Sequence, residues 1–370
     1  MRVVSVFGTR PEAIKMAPVI KALENSPHIE SIICSTGQHR EMLSPVLKIF
    51  DIKPDHDLDI LVPGQSLNSL FSRTLAKMSD LYADLAPDRV LVHGDTTTAG
   101  AAALAAFHNN ISVGHVEAGL RTHNMNEPWP EELNRRLVDL MADQLYAPTQ
   151  GAKNNLLSEH LGERQIIVTG NTVIDALLFI RDKLAHDDEF ATTIANGFPQ
   201  LDPSKKLILV TGHRRESFGE GFRQFALALR DIASMPNVQL IYPVHLNPNV
   251  QAPVREILSG LDNVFLIAPL DYPAFVYLMN RATLIISDSG GIQEEAPSLG
   301  KLVLVTRNVT ERPEAVEAGT VELVGTDRER IVDRCLHYLR EPELLNHISK
   351  AKNPYGDGKA AQRIVKEITK

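Results

Sequence analysis

Short, near-continuously apolar runs alternate along the chain with longer segments whose apolar positions recur at helical spacing. Runs at 3–7, 29–35, 89–92, 112–116 and 166–169 predict strands in the first half. Those at 207–211, 238–243, 264–267, 284–287 and 302–306 do the same in the second. Runs without polar alternation belong to parallel strands covered on both faces. Residues 66–85, 222–235 and 327–339 have the length and periodicity of helices. This alternation specifies right-handed βαβ units in an open, doubly wound α/β sheet. Ten strands strain a single twisted sheet, so two sheets in two domains are expected. The length of 370 residues agrees, at about 150 residues per domain. The boundary is placed near residue 170, after the run at 166–169; the polar stretch 185–205, with Pro199 and Pro203, is the competing place for a linker.

Composition narrows the function. The chain carries 38 Lys+Arg against 46 Asp+Glu, a net charge of −8, so no overall basic field draws nucleic acid or an anionic membrane. A local cationic cluster can still bind a small anion. Cys34 and Cys335 lie in separate halves without CxxC spacing and read as buried thiols in a reducing compartment. No run approaches the ~18 apolar residues of a membrane span, and the N-terminal run is too short for a signal peptide. A soluble, cytoplasmic protein is expected.

In doubly wound sheets, ligands sit beyond the carboxyl ends of the strands, and the polar motifs of this chain directly follow its predicted strands. The first run ends in Gly8-Thr9-Arg10-Pro11-Glu12, with Lys15 in the helix that follows. Glycine permits the turn, proline suits the first helical turn, and free N–H groups with two cations favour a phosphate. The third run leads into His93-Gly94-Asp95 before three threonines, and the fourth into Glu117-Ala118-Gly119. Asp95 fits a helix N-cap, whereas Glu117 does not, since Gly119 postpones any helix. Glu131 and Glu132 open a helix, where the dipole alone favours acidic residues. Neighbouring carboxylates can be tuned apart into a general acid and a general base. In the second half, His213 follows a strand beside Arg214 and Arg215, and His245 holds a similar place. The sharpest signal is Ser287-Asp288-Ser289-Gly290-Gly291, which runs from strand to helix through two glycines and lets backbone meet a phosphate. Glu295 lies one turn on, suited to ribose hydroxyls. The loop is not a Walker loop, because Gly300-Lys301 precedes leucine, nor does it read GxGxxG. The string 356–361 follows no strand, and Tyr355 and Lys359 have dehydrogenase spacing across two helix-breaking glycines; both are coincidental. No metal cluster and no nicotinamide site are expected.

Together these strings resemble the non-hydrolysing UDP-N-acetylglucosamine 2-epimerase family of bacteria. The resemblance runs through residues 7–13, 93–97, 115–121, 130–132, 169–175, 211–216, 287–299 and 353–358, nearly the whole chain in order. It implies a glycosyltransferase-B-like pair of Rossmann-like domains facing a central cleft, residues 1–170 and 171–355, with a final helix at about 356–370 packing back on the first. It further implies a cytoplasmic homodimer, without cofactor or metal, that interconverts UDP-GlcNAc and UDP-ManNAc for envelope polysaccharides. Asp95, Glu117, Glu131 and His213 are then the catalytic candidates. Arg10, Lys15, His213, the backbone of Ser289, Gly290 and Gly291, and Arg312 would hold the diphosphate; Glu295 the ribose; Phe275 and the backbone near Leu270 the uracil. Asp95 and Glu117 also count among the substrate contacts. Gln38, His39, Arg40, Glu41 and His245 match a region where relatives bind UDP-GlcNAc as an activator. The competing readings are a hydrolysing 2-epimerase that releases ManNAc and UDP, and a UDP-sugar glycosyltransferase of the same fold.

Overall fold

The computed structural model describes residues 1–38, 40–214 and 218–370, with the side chains at 40–42 outside that description. The described chain divides into two compact units, residues 1–176 with 355–370, and residues 177–354.

The first unit holds a seven-stranded parallel sheet of β1 (Arg2–Phe7), β2 (Glu30–Ser35), β3 (His56–Asp57), β4 (Arg89–His93), β5 (Ser112–Val116), β6 (Gln144–Ala147) and β7 (Ile166–Val168). Their order is β3-β2-β1-β4-β5-β6-β7. The second unit holds a six-stranded parallel sheet of β8 (Lys206–Thr211), β9 (Val238–Pro243), β10 (Val264–Ile267), β11 (Leu284–Ser287), β12 (Val303–Val305) and β13 (Val321–Leu323), ordered β10-β9-β8-β11-β12-β13. The expected α/β architecture of two doubly wound domains is therefore present. In each sheet the winding direction reverses once, between β1 and β4 and between β8 and β11. Those are the switch points where loops splay apart and leave room for a ligand.

The predicted apolar runs supply the cores. Val4, Val6, Val90 and Val92 are buried beneath helix Thr97–His108, whose Ala99, Ala102, Ala103 and Ala106 let it lie close to the sheet. In the second unit, Ile208, Val210, Leu240 and Ile286 pack against Phe222, Phe225 and Leu229. Ser66 and Asp327 cap helices Leu67–Leu85 and Arg328–Arg340 with their side chains, at the positions where the pattern began. Cys34 and Cys335 are buried free thiols, each pushed up to about 12 by burial.

Two boundary expectations are corrected. Residues 171–176 belong to the first unit, so the division falls inside helix Thr172–His186 and not at 170. The physical cause is local: Asn171 N–H donates to the Tyr355 carbonyl at 2.6 Å, and Asp175 accepts from the N–H groups of Ala360 and Ala361 at 3.2 and 2.9 Å. Asp175 thereby caps the final helix, Ala360–Ile368, which packs on helix Arg10–Glu24. Gly170, at φ +90, stands so close to Gly356 that a Cβ would lie 3.3 Å from its Cα. The stretch 185–205 is not a linker either: it lies within the second unit, contains helix Asp188–Ala195, and stacks Phe198 on Tyr277 at 5.8 Å.

Candidate active site

The β1 loop is occupied from within. Thr9 and Glu12 form a capping box at the start of helix Arg10–Glu24. The buried Glu12 carboxylate accepts from the N–H groups of Gly8 at 3.0 Å and Thr9 at 2.7 Å, and from the Thr96 hydroxyl at 2.5 Å. Burial raises its pKa against those bonds. Two of the N–H groups in this loop, those of Gly8 and Thr9, are therefore taken by Glu12. Arg10 is exposed, and Lys15 is half-buried, its ammonium ion-paired with Glu117.

Register sets the acidic residues. β4 and β5 pair His93 with Val116, so the turn at Gly94-Asp95 and Glu117 leave neighbouring strands at one height. Thr96, not Asp95, caps the next helix, accepting from Ala99 N–H at 3.0 Å. Asp95 is thus released from the capping role, and its carboxylate forms an ion pair with Arg135. Its own carbonyl accepts from Asn134 Nδ2 at 2.9 Å. Glu117 adopts φ +69, a conformation uncommon for a side chain of its size. Its Oε2 receives Lys15 and Asn171 Nδ2, the latter at 2.8 Å, with His93 Nε2 at 3.8 Å. Burial opposes its charge, but the Lys15 ammonium and the hydrogen bond from Asn171 outweigh that and hold the carboxyl well below the usual range. Burial also pushes His93 down to about 3, leaving a neutral ring. Two residues on, Gly119 has φ +85, and a Cβ there would lie 2.4 Å from the Ala152 carbonyl oxygen.

Glu131 begins helix Glu131–Met141, half-buried and without a side-chain bond among the described residues. Its neighbour Glu132 is fully buried and accepts from the N–H groups of Thr122 and His123 at 3.1 and 3.3 Å. The dipole account covers both residues, but only Glu132 is committed to holding a loop.

In the second unit, β8 and β11 pair Thr211 with Ser287, whose hydroxyls lie 2.7 Å apart. Beyond them the buried Asp288 carboxylate accepts from the N–H groups of His213 and Arg214 at 2.7 and 2.8 Å. This folds the β8 loop over the start of the β11 loop. His213 is half-exposed and stacks on His245, with ring centroids 5.4 Å apart. His245 Nδ1 accepts from Asn247 N–H, so its ring is fixed. Of the residues grouped as a second site, His245 thus sits against a catalytic candidate. Gln38 accepts from the Thr98 hydroxyl at 2.9 Å. His39 and the side chains of Arg40 and Glu41 lie outside the described residues, as do Arg215 and Glu216.

Ser289 stands at the cap of helix Gly290–Glu295 without a side-chain cap bond. A Cβ on Gly290 would lie 3.0 Å from Arg312 Cζ, so the guanidinium lies directly over that backbone. The buried Glu294 presents it, accepting from Arg312 Nε at 2.9 Å. Glu295 is buried, and its Oε1 accepts from the Tyr272 hydroxyl at 2.6 Å. Tyr272 opens helix Tyr272–Arg281, which also carries Phe275; Leu270 directly precedes its cap residue Asp271. The structure therefore gathers His213, His245, residues 289–291, Glu295 and Arg312 on loops at one sheet end of this unit, and Arg10, Lys15, Asp95, Glu117 and Glu131 around β1, β4 and β5 of the other. Sequence reasoning passed over Arg135 and Tyr272 and gave no separate role to Asn171 and Asp288, because the parts all four play are visible only through distant partners. Among the described residues, no three His, Cys, Asp or Glu side chains are placed to hold a metal ion. None of the described helices is long and apolar enough to cross a membrane.

Fold and loops together define a two-domain, doubly wound α/β protein with carboxylate, cationic and glycine-rich segments on the loops at its switch points. A family model for UDP-N-acetylglucosamine 2-epimerase matches residues 21–369. The UDP-N-acetylglucosamine 2-epimerase of Escherichia coli K12 is 55% identical over 369 residues, covering 100% of this chain and 98% of that protein. The crystal structure of UDP-GlcNAc 2-epimerase from Neisseria meningitidis bound to UDP-GlcNAc is similar over 100% of both chains, with 50% identity and a TM-score of 0.92. That of the Methanocaldococcus jannaschii enzyme with UDP-GlcNAc and UDP has 33% identity and a TM-score of 0.81, covering 100% of this chain and 99% of that one. The chain belongs to the UDP-N-acetylglucosamine 2-epimerase family.

Proposed function

We propose that this protein interconverts UDP-GlcNAc and UDP-ManNAc without releasing free sugar. The observation that carries the reading is the pair of cation-bound carboxylates, Asp95 with Arg135 and Glu117 with Lys15, on adjacent strand ends of a chain in this family. The C2 proton of the sugar has no neighbouring carbonyl to acidify it, so direct exchange is not feasible. Anti elimination avoids that barrier. A base takes the C2 proton, its electron pair becomes the C1–C2 double bond, and the C1–O bond breaks to release UDP beside 2-acetamidoglucal. Re-addition of the UDP oxygen at C1, with protonation of C2 from the other face, gives the epimer.

Asp95, Glu117 and Glu131 supply the acid–base groups, with His213 beside the departing diphosphate. Arg10, Lys15, Arg312 and the backbone of residues 289–291 take up the charge that develops on UDP. Glu295 meets the ribose, and Phe275 with the backbone near Leu270 meets the uracil. The protein acts as a cytoplasmic homodimer that supplies UDP-ManNAc for envelope polysaccharide, with UDP-GlcNAc as activator at residues 38–41 and His245.

The test is incubation with UDP-GlcNAc in deuterated water, followed by proton NMR. A mixture of both nucleotide sugars, with deuterium at C2 of the product, is expected. Free ManNAc would identify the hydrolysing reaction, and unlabelled UDP-ManNAc would overturn the elimination route.

A further inference from the structure

One buried charged network takes no part in the chemistry above. The His115 ring is wholly buried in β5, with Nδ1 2.6 Å from Asp139 Oδ1 and Nε2 2.8 Å from the Gly94 carbonyl oxygen. A carbonyl only accepts, and so does an ionised carboxylate, so a ring carrying a proton on each nitrogen satisfies both contacts. Arg121, its side chain also wholly buried, places Nη2 2.7 Å from Asp139 Oδ2 and donates to Glu159 from Nε and Nη2 at 2.9 and 2.7 Å. Asp139 is thus shared between His115 and Arg121, and Arg136 closes the outer end against Glu159 at 3.1 Å. Buried ion pairs add little stability over well-packed apolar side chains, so stability alone is a weak reason for this one.

Its inner end lies on the turn that carries Asp95. Gly94 has φ +64, its N–H donates to the Val116 carbonyl at 2.9 Å, and its carbonyl receives His115. The next residue is held at its carbonyl by Asn134 and at its carboxylate by Arg135. Asn134, Arg135 and Asp139 all project from helix Glu131–Met141, so one helix secures both residues of the turn, one of them through His115. We infer that His115 is a positioning residue for Asp95, held by Asp139 so that it fixes the Gly94 carbonyl and with it the direction in which Asp95 leaves the turn. The inference rests on Asp95 acting in the reaction proposed above.

Three measurements test it. In the wild-type protein labelled with 15N-histidine, one histidine shows a slowly exchanging ring Nε2–H signal that is absent from His115→Gln; a His115 ring with no proton on Nε2 overturns the inference whatever the variants do. Asp139→Asn lowers turnover of UDP-GlcNAc by about 10- to 100-fold, the range typical when the outer partner of a site residue is lost. Its calorimetric UDP affinity stays within about twofold of wild type, because UDP is held elsewhere. His115→Gln, whose amide can still donate towards the Gly94 carbonyl, keeps more turnover than His115→Leu when both are folded. Full turnover in Asp139→Asn alongside an impaired Asp95→Asn overturns the positioning role and leaves the epimerase reading standing. A wild-type protein that leaves UDP-GlcNAc unchanged overturns both.

Discussion

Replacing Glu117 with glutamine separates the chemical role of this side chain from its structural one. The variant keeps the length of the side chain and an oxygen to accept from Asn171. It removes the counter-ion of Lys15, whose side chain is only 18% exposed. Breaking a buried pair by removing one partner costs about 3–5 kcal/mol. The residual exposure of Lys15 puts this case below that range, at about 2–3 kcal/mol. The penalty depends on pH with a defined sign. The Glu117 carboxyl lies below its ordinary 4.5 in the folded protein, so the stabilisation is complete above that value and fades as pH falls through the folded one. Urea unfolding of Glu117→Gln against wild type therefore shows a gap at pH 7 that narrows below about pH 4. Turnover, followed by NMR at pH 7 on the folded variant, falls by about 10²–10⁴-fold, the usual worth of general acid–base catalysis. Calorimetric UDP binding remains, since Lys15 and the other cations assigned to the diphosphate are all kept. Turnover within about tenfold of wild type would refute the catalytic assignment. A stability gap identical at pH 7 and pH 3 would refute the ion-pair account.

Further outcomes follow from the same geometry. Asp95→Asn loses at least ~100-fold in turnover while still binding UDP; Glu131→Gln does likewise if its unbonded carboxyl works on substrate, and is only mildly impaired if it merely complements the helix dipole. Variants at these positions are also expected to leak 2-acetamidoglucal and UDP, detectable by NMR. Gly290→Val forces the Arg312 guanidinium off a backbone it nearly touches, so UDP affinity collapses while the protein stays folded; undiminished affinity by calorimetry would place the phosphate elsewhere. Burial raises Asp175 to about 6 against an ordinary 3.8, despite the Ala361 and Ala360 N–H groups. The folded state thus binds the proton more tightly, and the contribution of Asp175 to stability declines as pH rises from about 4 to about 6. Asp175→Asn removes that decline and gains about 1–3 kcal/mol on wild type across the interval, measured by urea unfolding; a constant difference between the two proteins would refute it.

Much of the fold was legible because its signals are local. Ten apolar runs became ten strands with ends shifted by a residue or so, since a strand buried on both faces has no polar position to disguise it. Ser66 and Asp327 marked helix starts because an N-cap acts within three residues. The polar motifs at strand ends were likewise readable, because a parallel sheet sends the carboxyl ends of its strands to one edge. The strands not foreseen are short: His56–Asp57, Gln144–Ala147 and Val321–Leu323, which owe their pairing to neighbours already in the sheet.

Tertiary structure alone decided what each charged group faces. Glu117 meets a lysine from β1's helix and an asparagine from the segment after β7, and Asp95 meets an arginine 40 residues on. Such partnerships depend on strand order and register, which no local window contains. The same holds for Glu12, whose carboxylate fills a loop that the motif alone offers to a phosphate, and for Asp175, which ties the final helix to the first unit from a distance of 185 residues. Local propensity determined which elements form and where their polar ends lie; the crossings between β1 and β4 and between β8 and β11 determined which of those ends meet, because only a completed sheet brings distant loops within hydrogen-bond reach.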